Sequence, residues 1–291
     1  MELGALLPLG DIGGTPQVLR EYAQAAEAIG YDFIEAPDHV LGAREGERTG
    51  AGLFHDPFVL FGFLAGCTAK LGFSTGVLIL PQRQTALVAK QAACLDVLCG
   101  GRFRLGIGVG WNEVEFIGLN EDFHNRGVRS AEQVRVMQML WQEPHVTFRG
   151  RWHTIEDAGI NPRPSSGRVP VWFGGHHERT LQRVAKWGDG WMPNAYPADQ
   201  SALDVFGRLR SLTEAAGRDA AKIGIEVWVS MGSGSEADWA RDARFWKQAG
   251  ASHLCLTTTF DRRHHKRIAG QTLSDHIGAL RRFHAAVADQ L

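Results

Sequence analysis

Asp38 and His39 stand just after a strand-like run, Tyr-Asp-Phe-Ile-Glu-Ala, and the turn-forming Pro37. A carboxylate beside an imidazole can orient or charge it, and an imidazole titrates close enough to neutrality to serve as acid or base. His39 is therefore the candidate catalytic residue, with Asp38 as its helper. The competing reading, a loop histidine bonded to backbone, applies to most of the 12 histidines. A second constellation is Gly174-Gly175-His176-His177, with Thr180 one turn further on. Glycines let a ligand approach the backbone, and a helix start offers free N–H groups at the positive end of its dipole. That makes a phosphate or carboxylate site, or equally a tight turn with a helix cap. A third is Gly106-Ile107-Gly108-Val109-Gly110, where a dinucleotide fingerprint would need glycine at 111 or 113; those are Trp111 and Glu113. Gly108, Val109 and Gly110 instead offer a small-residue surface for a flat ring, or simply close strand packing.

Other chemistries lack their residues. There is no HExxH for a metal and no GxSxG for a serine nucleophile. Cys67, Cys94, Cys99 and Cys255 form no CxxC pair, and they read as small buried thiols of a reducing cytoplasm. His264-His265, in the charged run 261–267, reads as a solvated loop.

The elements that must position these groups alternate. Strand-like runs at 2–9, 31–36, 72–80, 103–107, 171–173, 190–192, 223–229 and 253–256 are interleaved with eight helical ones. The helices are expected at 16–29, 57–69, 85–98, 128–141, 177–186, 200–216, 236–249 and 272–286. In 85–98 the stripe at helical spacing is Leu87, Gln91, Cys94, Leu95 and Leu98. Eight βα units without a composition break predict one (β/α)₈ barrel domain over 1–291. Two segments, 40–56 and 142–168, are too long for simple connections and are expected as βα-loop insertions that read the substrate. A barrel builds its site at the C-terminal strand ends. Asp38-His39, Gly76-Val77, Gly108 to Gly110 and Gly174 to His177 all fall there, so they should converge.

Composition agrees. At 291 residues, 44% hydrophobic and 22% charged, the chain is an ordinary globular protein. A net charge of −1 without basic blocks argues against nucleic-acid and polybasic membrane partners. The N-terminus lacks a signal-peptide pattern and no stretch reaches ~18 apolar residues, so a cytoplasmic location is expected.

The run Leu-Gly-Phe-Ser-Thr-Gly-Val-Leu-Ile-Leu-Pro-Gln-Arg at 71–83 resembles the third-strand signature of the luciferase-like monooxygenase superfamily. Ala-Lys-Gln at 89–91, Leu95-Asp96 and Gly-Gly-Arg-Phe-Arg-Leu-Gly-Ile-Gly-Val-Gly-Trp at 100–111 continue the likeness. Asp38-His39, Phe123 with Arg126 and Arg129, Asn-Pro-Arg-Pro at 161–164, Pro-Val-Trp-Phe-Gly-Gly at 170–175 and Gly-Asp-Gly-Trp at 188–191 complete it. The resemblance implies a (β/α)₈ barrel that holds FMN or the deazaflavin coenzyme F420 at its C-terminal rim, and a cis Gly76–Val77 peptide in strand three. The 108–111 run, Glu113-Val114-Glu115-Phe116 and the Arg126/Arg129 pattern look most like the deazaflavin branch.

Two departures narrow the inference. Bacterial luciferase has an FMN-phosphate arginine where this chain has Val109, which argues for F420 over FMN. The sugar-phosphate dehydrogenase of the family has a tryptophan and an acid at about the positions of Ala43 and Trp111, which argues against a sugar phosphate. The resemblance therefore implies hydride transfer between F420 and a small organic molecule, with a homodimer as its assembly. His39 would carry the proton, Gly76 and Val77 would support the ring, Val109 and Gly110 would meet its edge, and Gly174 to His177 would take the phosphate. The alternatives are an FMN monooxygenase fed by a flavin reductase and a non-catalytic flavin-binding barrel.

Overall fold

In a computed structural model, which describes residues 1–42, 53–194 and 196–291, strands and helices alternate as the sequence predicts. The order begins β1 (Glu2–Leu6), α1 (Leu9–Ile12), α2 (Pro16–Ile29), β2 (Phe33–Ala36), α3 (Pro57–Ala65), β3 (Gly72–Thr75), β4 (Leu78–Ile79) and α4 (Thr85–Leu98). It continues β5 (Phe103–Gly108), α5 (Glu113–Gly118), α6 (Arg126–Gln142), β6 (Val146–Arg149), β7 (Thr154–Ala158), β8 (Val171–Gly174), α7 (Glu178–Trp187) and β9 (Gly190–Met192). It closes with α8 (Gln200–Ala215), β10 (Gly224–Ser230), α9 (Glu236–Ala249), β11 (His253–Thr257) and α10 (Leu273–Val287).

The parallel strands pair in the order β3-β2-β1-β11-β10-β9-β8-β5-β4, and a β3–β5 pairing closes the ring. β3 and β4 are one strand interrupted at Gly76–Val77, so the barrel has eight staves. That peptide is cis, as the resemblance implies, and so is Asn161–Pro162. Branched and aromatic side chains such as Leu3, Ile34, Phe73 and Phe103 fill the sheet and its helix-facing layer. Each fully buried one contributes roughly 1.5–3 kcal/mol. Among the described residues no helix is long and apolar enough to cross a membrane.

Local chemistry explains the helix ends. Pro16 opens α2, Gly30 closes it at φ 109°, and Leu19, Tyr22, Ala23 and Ala26 form its buried stripe. Reciprocal caps, Ser235 with Asp238 and Thr272 with Asp275, start α9 and α10.

Three expectations are corrected. The buried face of α4 is Val88, Ala89, Ala92, Ala93 and Leu95, whereas Leu87 and Leu98 are exposed. That helix is apolar nearly all round, and its small residues form the face that packs closely, with Trp141 donating to the Ala89 carbonyl at 2.9 Å. The 142–168 segment is not a βα insertion. It runs from α6 to β8, an αβ connection, and carries the antiparallel hairpin β6–β7. Its tip is tied to α6 by Glu132, which accepts from the backbone N–H groups of Arg151, Trp152 and His153. The helix expected at 57–69 ends at Ala65. Most of the 40–56 insertion, residues 43–52 with Ala43 among them, lies outside the described residues.

Candidate functional site

A cavity of about 1160 Å³ opens at the C-terminal ends of the strands. All twelve residues nominated from sequence line it: Asp38, His39, Gly76, Val77, Gly108, Val109, Gly110, Gly174, Gly175, His176, His177 and Thr180. They come from four stave ends and the loops after them, which is the convergence that eight βα units predict.

His39 leaves β2 and rests against Phe54 and Trp111, with ring centroids 4.9 and 6.2 Å away. Asp38 does not orient it. The Asp38 carboxylate accepts from Ile79 N at 3.1 Å and from Arg83 Nε and Nη2 at 3.2 and 2.8 Å. Arg83 Nη1 reaches on to Asp56 at 2.9 Å, so one guanidinium fastens the chain on both sides of the 40–56 insertion. Asp56 meanwhile caps α3 by accepting from Phe58 N and Val59 N.

The partner of His39 is Glu115 in α5. Its Oε2 lies 3.2 Å from Nδ1, its side chain is fully buried, and the His39 side chain is 22% exposed. Nδ1 donates to this carboxylate, which leaves Nε2 as the basic nitrogen. Glu115 also accepts from Val40 N at 2.8 Å and Leu41 N at 3.3 Å, fixing the start of the loop that carries the imidazole. The signal for Glu115 lay within the quoted Glu-Val-Glu-Phe run, but no spacing rule joins it to His39.

The glycines separate into two kinds. A Cβ on Gly108 or Gly174 would strike the Val77 side chain at 2.4 or 2.6 Å, and one on Gly76 would fall 2.0 Å from the Glu35 carboxyl carbon. These three make room for protein. Gly175 differs: at φ 109° its Cβ would meet, among the described residues, Thr180 alone, with Oγ1 at 3.4 Å. Its carbonyl accepts from Trp191 Nε1, and the next turn starts α7 with His177 Nδ1 accepting from Arg179 N at 3.1 Å. The His177 ring is thereby a cap. Burial, then Arg263 and His177, lowers the His176 imidazole from its ordinary value, which favours the neutral ring. An anion here would meet backbone N–H groups and the helix dipole. Three cations, Arg126, Arg262 and Arg267, also line the cavity. Arg267 is held by Asp11 at 2.7 Å, and Asp11 in turn by His276 at 3.1 Å.

His265 overturns the solvated-loop expectation. It is 1% exposed and sits among His264, Phe260 and Trp228, with its Nε2 3.4 Å from the Asn194 carbonyl. Burial, then His264, pushes its imidazole down to about 4. The segment after β11 folds inward, and its Thr259 and Phe260 line the cavity.

The sequence pattern of the luciferase-like monooxygenase family matches residues 3–288. An uncharacterised protein of Mycobacterium tuberculosis is 34% identical over 211 residues, covering 67% of this chain and 71% of that one. The F420-dependent hydroxymycolic acid dehydrogenase of the same organism is 26% identical over 234 residues, 79% of this chain and 63% of that one. Among solved structures, an F420-dependent secondary alcohol dehydrogenase in complex with an F420-acetone adduct superposes with a TM-score of 0.71 and 23% identity, over 88% of this chain and 92% of that one. The monooxygenase RslO1 from Streptomyces bottropensis superposes at 0.79 and 17% identity, over 99% of both chains. With 286 consecutive positions inside the family pattern, the chain belongs to the luciferase-like monooxygenase family of enzymes.

Proposed function

We propose that this enzyme transfers a hydride between coenzyme F420 and a small organic substrate, with His39 as the proton carrier. The observation that carries the reading is the presence, in the lining of one cavity, of a Glu115-held imidazole and the open Gly175 cradle just before α7. The relatives described by name as F420-dependent support it.

The residues present fit such a cofactor. About 1160 Å³ accommodates a tricyclic ring, its phosphate tail and a substrate together. The Gly76–Val77 ridge would support the ring, Val109 and Gly110 would meet its edge, and the Gly175 cradle with Thr180 would hold the phosphate, helped by the arginines. A bound deazaflavin supplies a hydride-exchanging ring carbon. The chain then has two tasks. His39 Nε2 takes a proton from the substrate or returns it, while Glu115 holds the tautomer that makes Nε2 basic. Phe54, Trp111 and Val77 keep water from the reacting face. Asp38 serves by fixing the loop through Arg83. With four free cysteines, the enzyme suits a reducing cytoplasm.

Titration of the apo-protein with F420 and with FMN tests the reading. Tighter binding of F420 is expected, because Val109 provides no phosphate-holding cation. Micromolar FMN binding without F420 binding would replace the proposal with an FMN monooxygenase served by a flavin reductase. Cofactor binding without turnover of any alcohol, ketone or ene substrate would leave a flavin-binding barrel.

A further inference from the structure

We infer that Glu35 and Glu226 share one proton inside the barrel, so that the floor of the cavity is an uncharged carboxylic acid rather than a carboxylate. The two side chains come from β2 and β10 and are 0% and 1% exposed. Among the described residues one cation faces them. Arg104 from β5 pairs with Glu226, and its guanidinium lies over the rings of Phe33 and Trp172, 4.5 and 4.3 Å from their centroids. Trp228 Nε1 donates to Glu35 Oε1 at 2.9 Å. Glu35 Oε2 and Glu226 Oε1 remain, both buried and both without an N–H or hydroxyl donor.

An oxygen of each carboxyl lies within 4.8 Å of the other. Two buried carboxylates this close, facing one guanidinium, would leave one negative charge uncompensated, and a proton on one of them removes it. Arg104 stabilises the charge on Glu226, which leaves the proton on Glu35. Burial, then the nearby Glu226, pushes the Glu35 carboxyl well above the ordinary carboxylate range against the pull of Arg104. The other titratable groups around it are Cys255 from β11, whose thiol burial also pushes up, and Tyr22 from α2 beyond it. Two carboxyls and a thiol within 4.8 Å have the composition of a metal site. Arg104 and the Trp228 indole take one oxygen of each carboxyl, and the guanidinium's positive charge beside Glu226 opposes a second cation there.

The place of the pair gives it a role. Glu35 lines the cavity, and its carboxyl packs directly on Gly76, at the floor assigned to the ring. This role rests on the function proposed above. Hydride uptake at that floor adds two electrons and one proton, a net charge of −1. A carboxylate packed there would oppose that charge, and a protonated acid does not. Glu35 is thus a positioning residue that sets the charge of the floor.

Infrared spectra of the wild type and Glu35→Gln test the shared proton without any cofactor. The C=O stretch of a protonated carboxylic acid is expected in the wild type at pH 7 and should vanish in Glu35→Gln. The amide of that variant can still accept from Trp228 and donate to Glu226. Titrations with oxidised and reduced F420 across pH test the role. The Kd for the reduced form should rise roughly tenfold per unit once the wild-type pair ionises, and stay flat in Glu35→Gln. No acid band in the wild type, a band that persists in Glu35→Gln, or one equivalent of metal in the purified protein overturns the shared proton. A Kd for reduced F420 that follows the same pH course in both proteins overturns the role. An acid band in a protein that binds no F420 upholds the shared proton and removes the cofactor reading instead.

Discussion

His39 donates through Nδ1 to Glu115, 76 positions further along the chain, while its sequence neighbour Asp38 turns away to hold Arg83. The two carboxylates have separate duties, and substitutions should separate them. His39→Ala should lower kcat by ~10²–10⁴-fold with little change in Tm. Glu115→Gln should lower it less and free the imidazole tautomer, which nitrogen NMR of His39 reads directly. Unchanged kcat in a folded His39→Ala enzyme would place the proton elsewhere.

Asp38→Asn should act on stability first. The side chain is 1% exposed and accepts three hydrogen bonds, two of them from a guanidinium. Removing one partner of a buried pair costs about 3–5 kcal/mol, and Asp56 on the same arginine sets the expectation at the lower end. Denaturant unfolding measures it. A loss of cofactor affinity at unchanged stability would instead make Asp38 a direct ligand.

Gly175→Ala should weaken cofactor binding roughly tenfold, about the worth of one charge-assisted hydrogen bond. At φ 109° the added Cβ also strains the backbone by about 1–3 kcal/mol, which lowers Tm in apo and loaded protein alike. Calorimetric titration of the folded variant isolates the binding part. An unchanged Kd returns this segment to a helix-capping turn.

Stability should fall as pH rises above the ordinary range of a glutamate. With its carboxyl pushed up in the fold, Glu35 holds a proton that the unfolded chain releases near 4.5. The contribution is full below that value and is lost as pH climbs toward the raised one. In Glu35→Gln this part of the slope should be absent, so its Tm should overtake that of the wild type at alkaline pH. Parallel Tm–pH curves for the two proteins would contradict it.

The barrel and its rim were legible because both are periodic. Alternating β and α patterns fix which end of each stave faces the mouth, so His39, Gly76 and Gly175 could be gathered before any coordinates. Contacts across the mouth were not legible. Nothing in the spacing of His39 and Glu115 tells that α5, a six-residue helix, swings a carboxylate under the imidazole. His265 looked solvated because its neighbours in sequence are charged, although its neighbours in space are aromatic. The β6–β7 hairpin escaped because its strands are short and mostly exposed, and β7 carries polar residues on both faces. The α4 stripe marked the helix but not its buried face, because apolar residues lie on most of its sides.

Arg83 grips Asp38 ahead of the long insertion and Asp56 at its last position, which gives that stretch of chain a fixed socket. Doubling the length of a tethered loop costs only about 0.6 kcal/mol, so its length and sequence can change cheaply between the two anchors. The imidazole would stay in register throughout, because Glu115 and Arg83 hold its approach from outside the exchanged segment. New substrate preferences could then be acquired by trading the insertion alone, with the proton-handling apparatus inherited intact.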